Sequence, residues 1–121
     1  PKTSLDPNPG RGANLGWDRV EGTVVADGDA PAGAVGPLFT YTHDDGCSIS
    51  GGFVSHGSAL PQLEAQYLFS DYCNSEIRSI TQSGDSELLG LTGEAVVSIN
   101  ADENGEPLVL DSRGIRRIAP G

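Results

Sequence analysis

Apolar and polar positions along the chain do not repeat at a helical spacing anywhere. They alternate over short runs instead, which is the period of a half-buried strand. Residues 47–57 (CSISGGFVSHG) predict a strand with Ile49 and Phe53 on one face. Residues 65–73 (AQYLFSDYC) predict a second, with Tyr67, Phe69 and Asp71 on one face and Leu68 and Tyr72 on the other. The intervening GSALPQLE has a length that suits a hairpin loop. EIRSI, at 76–80, predicts a third strand after the turn Asn74-Ser75, and 88–91 a weak fourth. A second group follows, with strands at 96–100, 107–110 and 115–118, separated by ADENGE and by a turn at 111–114. Gly51 and Gly52 predict a bulge or a close backbone approach, because a residue without a side chain inside a strand marks such places.

The first 37 residues read differently. Pro and Gly punctuate residues 1–16 and 26–37, and nothing there is periodic. Residues 17–23 form a short transition, and 38–42 predict an extended segment leading into the turn His43-Asp44-Asp45-Gly46. The expected organisation is a loop-rich segment at 1–37, a blade at 38–95 and a partial final blade at 96–121. Strands of ~4–8 residues with turns every ~8–12 fit a sandwich, a barrel or a propeller. An internal echo narrows the choice. Each group has a run ending in Asp (LFSDY, LVLDS), a tight turn, then a run with Ile and Arg (EIRSI, GIRRI). Similarity at ~40 residues is what four-stranded propeller blades produce. The expected fold class is all-β, with antiparallel four-stranded blades of a β-propeller, about one and a half to two blades of a six-bladed ring.

Composition supports strands and turns. Of 121 residues, 17 are Gly and 8 Pro, and 36% are hydrophobic, which is thin for a self-sufficient core. The formal net charge is −10, a field that repels phosphate backbones and anionic lipid, so neither nucleic acid nor membrane is an expected partner. No run approaches the ~18 apolar residues of a membrane span. Pro1 is not a natural start, so a leader or larger precursor is expected upstream. If the first hairpin turns near Leu60, Phe53 faces Tyr67, Gly51 faces Phe69, and Cys47 faces Cys73. Opposed residues are close enough to bridge, which predicts a disulfide between Cys47 and Cys73 and an oxidising, secreted or periplasmic compartment.

These residues bear a resemblance. N-x-GW-x-x-x-EG (Asn14, Gly16, Trp17, Glu21, Gly22), GCSxxGGxVxxG (Gly46 to Gly57), the FGDYC-like strand from Phe69 to Cys73, and the final run Asp102, Gly105, Leu108, Val109, Asp111 resemble the last third of the glucose/sorbosone dehydrogenase family. Ser70 replaces a glycine of that pattern and Pro107 departs from it. The resemblance spans about residues 13–119. It implies a six-bladed propeller, an oxidoreductase acting on sugars, and pyrroloquinoline quinone (PQQ) and calcium as cofactors. It also implies that the catalytic histidine belongs to an early blade with no counterpart here, so His43 and His56 are not assigned that role. Soluble members clamp the quinone's carboxylates with a lysine at the end of the FGDYC-like strand and arginines just before the last blade. Here Cys73 and the stretch LTGEA (91–95) stand in those places, and anion clamping needs cationic donors.

Among other chemistry, Asp102 and Asn104, and separately Asp44 and Asp45, are calcium candidates. They lack the alternating ligand spacing of an EF-hand, and a hairpin turn explains Asn104-Gly105 equally. Trp17 is expected to pack as a blade anchor, with a carbohydrate pocket as the alternative. Two open blades leave side walls uncovered. Ile49, Phe53, Tyr67, Phe69, Ile77, Val97 and Leu108 are expected there, facing the remaining blades or copies of the chain. Two functions follow: part of an extracellular PQQ-dependent sugar dehydrogenase, not catalytic on its own, or a non-catalytic propeller module for binding or self-assembly.

Overall fold

A computed structural model describes Gly10 and residues 12–121. The chain divides into two compact units, Pro1–Thr40 and Tyr41–Gly121. In the first, β1 (Val20–Glu21) and β2 (Val24–Val25) form a hairpin turned at Gly22-Thr23. The transition expected at 17–23 thus contains a strand. Trp17 corrects the packing expectation, since it is 77% exposed. It lies in the tight turn that Gly16 closes through its carbonyl to the amides of Arg19 and Val20, and a two-residue hairpin offers no face large enough to bury an indole.

The second unit carries two antiparallel sheets. One has four strands in chain order: β3 (Ile49–Val54), β4 (Tyr67–Asp71), β5 (Glu76–Ile80) and β6 (Ser86–Thr92). The other has three: β7 (Ser98–Ala101), β8 (Pro107–Asp111) and β9 (Gly114–Arg117). The chain is all-β and its sheets are blade-like, as the alternation predicts. Residues 38–42 form no strand. β6 extends beyond the predicted 88–91 at both ends.

Register confirms one half of the expected hairpin and corrects the other. Ile49 faces Asp71 and Ser50 faces Ser70, as the predicted turn requires. Beyond a bulge between Ser50 and Phe53, however, Phe53 faces Leu68 and Val54 faces Tyr67. The extra residue is accommodated where the backbones nearly touch: a Cβ on Gly52 would lie 1.8 Å from the Leu68 carbonyl oxygen. The pairings of Phe53 with Tyr67 and Gly51 with Phe69 therefore do not form.

The two sheets repeat one another residue by residue. Leu68 faces Ser79, Phe69 faces Arg78 and Ser70 faces Ile77 in the first. Leu108 faces Arg117, Val109 faces Arg116 and Leu110 faces Ile115 in the second. β3 packs beside β7, and the core lies between the sheets. It holds Leu68 and Ile77 from the first sheet, Ile99, Val109 and the preceding Val96 from the second, and Leu60 and Leu63 from the β3–β4 loop. Ile77 and Phe69 are buried, which corrects their place on an open wall. Ile77 faces the second sheet, and Phe69 stacks on Tyr67 with ring centres 6.3 Å apart. Ile49 and Val97 are exposed, as expected for a wall.

Candidate functional site

Asp71 ends β4 and is nearly inaccessible to solvent. A buried carboxylate needs donors. Here the Tyr41 hydroxyl donates to Oδ2 at 2.7 Å and the Ser48 amide at 2.9 Å. The amides of Cys47 and Cys73 donate to Oδ1 at 3.1 and 2.8 Å. Burial alone would push the Asp71 carboxyl up, but the Tyr41 hydroxyl and these three amides outweigh it and hold it down at about 2. Burial and the neighbouring carboxylate push the Tyr41 hydroxyl above its ordinary value. Cys47 and Cys73 are joined in a disulfide beside this cap, with Cα atoms 5.7 Å apart.

Asp111 ends β8 in the same way. It accepts from the amides of Arg113 and Glu94, each at 3.0 Å, and from the Arg116 guanidinium. Burial works against the charge, and the Arg113 amide, the guanidinium and the Glu94 amide together keep its carboxyl below the ordinary range. Each sheet thus closes one end with a buried aspartate that gathers amides from its own turn and from the segment leading into its first strand. Ser75 links the two ends: its carbonyl accepts from the Gly93 amide, and its hydroxyl accepts from the Val96 amide at 3.3 Å.

The calcium candidates fall into two separate places. Asp44 and Asp45 occupy an exposed turn beside the β4–β5 connection, where the Asp45 carbonyl accepts from Asn74 at 2.8 Å. Asp102 and Asn104 form the β7–β8 turn. There Asp102 Oδ1 accepts from the amides of Asn104 and Glu106 at 2.8 and 2.9 Å, and Arg117 lies 2.6 Å from Oδ2 as an ion pair without hydrogen-bond alignment. The Glu106 amide above all keeps the Asp102 carboxyl below its ordinary value. Among the described residues one group of three potential metal ligands converges: Cys47, Asp71 and Cys73. Its two sulfurs are bonded to each other and so are not thiolates, and its carboxylate already accepts from four donors, so the group is poorly suited to hold an ion.

The positions to which the resemblance would give the quinone clamp carry no cationic side chain. Where a lysine would be needed stands Cys73, whose sulfur is tied in the disulfide. In residues 91–95 the charged group is Glu94, 3.6 Å from Arg113 Nε. His56 is exposed and sits 2.8 Å from Glu64. Sequence reasoning missed Tyr41 and Glu106. Glu106 is buried, accepts from the Ala59 amide at 2.9 Å, and ties the β3–β4 loop to the β7–β8 turn. The recurrence of Asp at the end of LFSD and LVLD was the signal for the caps. Nothing in the sequence signals that Tyr41 reaches across 30 positions to one of them.

A shallow cleft of about 150 Å³ opens between the sheets, lined by Ile77, Leu91, Val109 and Ile118 and by Arg116 and Arg117. No family model and no solved structure matches the chain.

Proposed function

We propose that residues 41–121 act as two successive blades of a propeller resembling the glucose/sorbosone dehydrogenases, and that they supply scaffold and assembly surface without catalysing the reaction. The observation that carries this reading is the repeat in register. The Leu68–Ile77 face of the first sheet is covered by the second sheet. The same face of the second sheet, Leu110 and Ile115, is 40% and 72% exposed. A repeat unit that buries one face and leaves the equivalent face open is built to receive another unit. Further propeller blades or copies of the chain are the partners this face suits. The disulfide supports an extracytoplasmic location. Sugar, PQQ and calcium belong to this reading only through the resemblance, and the residues at the clamp positions argue against quinone binding by this stretch.

The test has two arms. Sedimentation of the chain and of an Ile115→Asp variant should show concentration-dependent association in the first and loss of it in the second. A monomer at every concentration would remove the assembly role. Dye reduction with an aldose, PQQ and calcium should stay at the no-protein level, and turnover above it would overturn the non-catalytic assignment.

A further inference from the structure

Cys47 leads into β3 and Cys73 follows β4, and both partners of the disulfide are exposed. Access is the first requirement for thiol–disulfide exchange, in which a thiolate attacks one sulfur and the electron pair leaves on the other. Charge is the second. Asp71 holds a carboxylate oxygen within 4.8 Å of both sulfurs. Its four donors, the Tyr41 hydroxyl and the amides of Cys47, Ser48 and Cys73, are all neutral, so they stabilise its negative charge without cancelling it. The amides of both cysteines are taken up by this carboxylate rather than turned to a sulfur. Asp44 and Asp45 add two acidic side chains in the exposed turn just before Cys47, and Asn74, next to Cys73, donates to the Asp45 carbonyl at 2.8 Å. The surroundings of the two sulfurs are therefore open and negative.

We infer that this disulfide is an exchange site selective for the charge of the attacking thiol: thiols that also carry a positive group react with it, acidic thiols are held off, and Asp71 sets the difference. An incoming thiolate forms a bond to one cysteine sulfur as the Cys47–Cys73 bond breaks. The electron pair leaves on the other cysteine, which then takes a proton from water. A second thiol resolves the mixed disulfide, so two thiols are oxidised to a disulfide and the two cysteines are reduced. Both stages bring a negative sulfur close to Asp71. Repulsion between unit charges about 5 Å apart slows a rate about fourfold in bulk water and more at a protein surface. A positive group on the reductant offsets that repulsion, and a carboxylate adds to it. The net charge of −10 acts in the same direction on approach. Asp71 is here a positioning and field residue: it touches no reacting atom. The inference does not depend on the propeller reading or on the family resemblance.

The experiment follows reduction of the folded chain by excess cysteamine, mercaptoethanol and mercaptopropionate: a cation, a neutral molecule and an anion of similar size. Each rate is divided by that of the same thiol with a small neutral disulfide, which removes the thiol's intrinsic reactivity. At low salt the normalised rate with cysteamine should exceed that with mercaptopropionate by about tenfold, and the ratio should shrink as salt is raised to about 1 M. Asp71→Asn should lower the low-salt ratio several-fold. Tyr41→Phe loosens the cap but keeps the carboxylate, so the ratio should persist whatever happens to the individual rates. The ordering of the three thiols and its salt dependence in the intact chain decide the matter even if Asp71→Asn does not fold. Any of three results overturns the inference. One is equal normalised rates for the three thiols in the intact chain. Another is an unchanged ratio in a folded Asp71→Asn chain, which would leave Asp71 a structural role only. The last is a rate independent of thiol concentration, which would mean that reduction waits for unfolding rather than occurring at an open site.

Discussion

Asp71 concentrates the polar energetics of the first sheet in one side chain. Its carboxyl is held at about 2 against an ordinary value of 3.8. Between these values the unfolded chain binds more protons than the folded one, so the stability Asp71 contributes is complete above pH about 4 and is lost as pH falls toward about 2. Asp102 and Asp111 are shifted in the same direction and act with the same sign. Acid unfolding followed by circular dichroism should show this loss, and Asp71→Asn should flatten the acid limb while lowering stability near neutrality. Tyr41→Phe removes a single donor to a charged acceptor, and should cost about 1.5–3 kcal/mol by denaturant titration and raise the Asp71 pKa. A Tyr41→Phe chain with unchanged stability and unchanged acid limb would show that the hydroxyl contributes nothing to the cap.

Among the elements, the β3–β4 hairpin depends on two features of different kinds. One is the bulge. Gly52 lets β3 absorb an extra residue because its missing Cβ leaves room for the Leu68 carbonyl. Gly52→Ala must push the strands apart, and should cost about 1–3 kcal/mol or more. The change is readable as a lower denaturant midpoint and faster amide exchange at Leu68. The other is the disulfide, which closes a loop over a sequence separation of 26. Its removal by a Cys47→Ser/Cys73→Ser pair should lower stability by roughly 3 kcal/mol in the chain-entropy account, with the Asp71 cap still formed because its donors are three backbone amides and the Tyr41 hydroxyl, none of them a sulfur. Comparing midpoints of the oxidised chain and the double variant checks the size of the effect.

At the scale of the whole molecule, an open apolar face and a strong net charge compete. Leu110 and Ile115 leave apolar surface in water, unfavourable by about 25 cal/mol per Å². The charge of −10 opposes contact between copies, but salt screens it within ~10 Å at 0.1 M. Association should therefore strengthen as salt is raised from low values. Light scattering across salt concentrations measures this, and association that weakens with added salt would mean that ion pairs rather than the apolar face hold the copies together.

What the sequence determined by itself was whatever alternation and repetition encode. The period-two runs placed β5 at its observed ends and β4 with two residues too many at each end, and the recurrence of LFSD and LVLD announced two like sheets. The spacing of Cys47 and Cys73 about Leu60 carried the disulfide, because register from Ile49 outward is set by simple opposition. The tertiary structure alone decided which faces meet. Ile77 and Ile115 occupy equivalent positions in equivalent strands, yet one is buried and the other open, because only the first has a sheet laid over it. The bulge moved Phe53 by one position relative to the predicted pairing, since a glycine pair marks an irregularity without stating on which side of it the register shifts. Asp71 and Tyr41 meet for a similar reason. A hydrogen bond between residues far apart in the chain is fixed by the packing of whole strands, and no local pattern carries that distance.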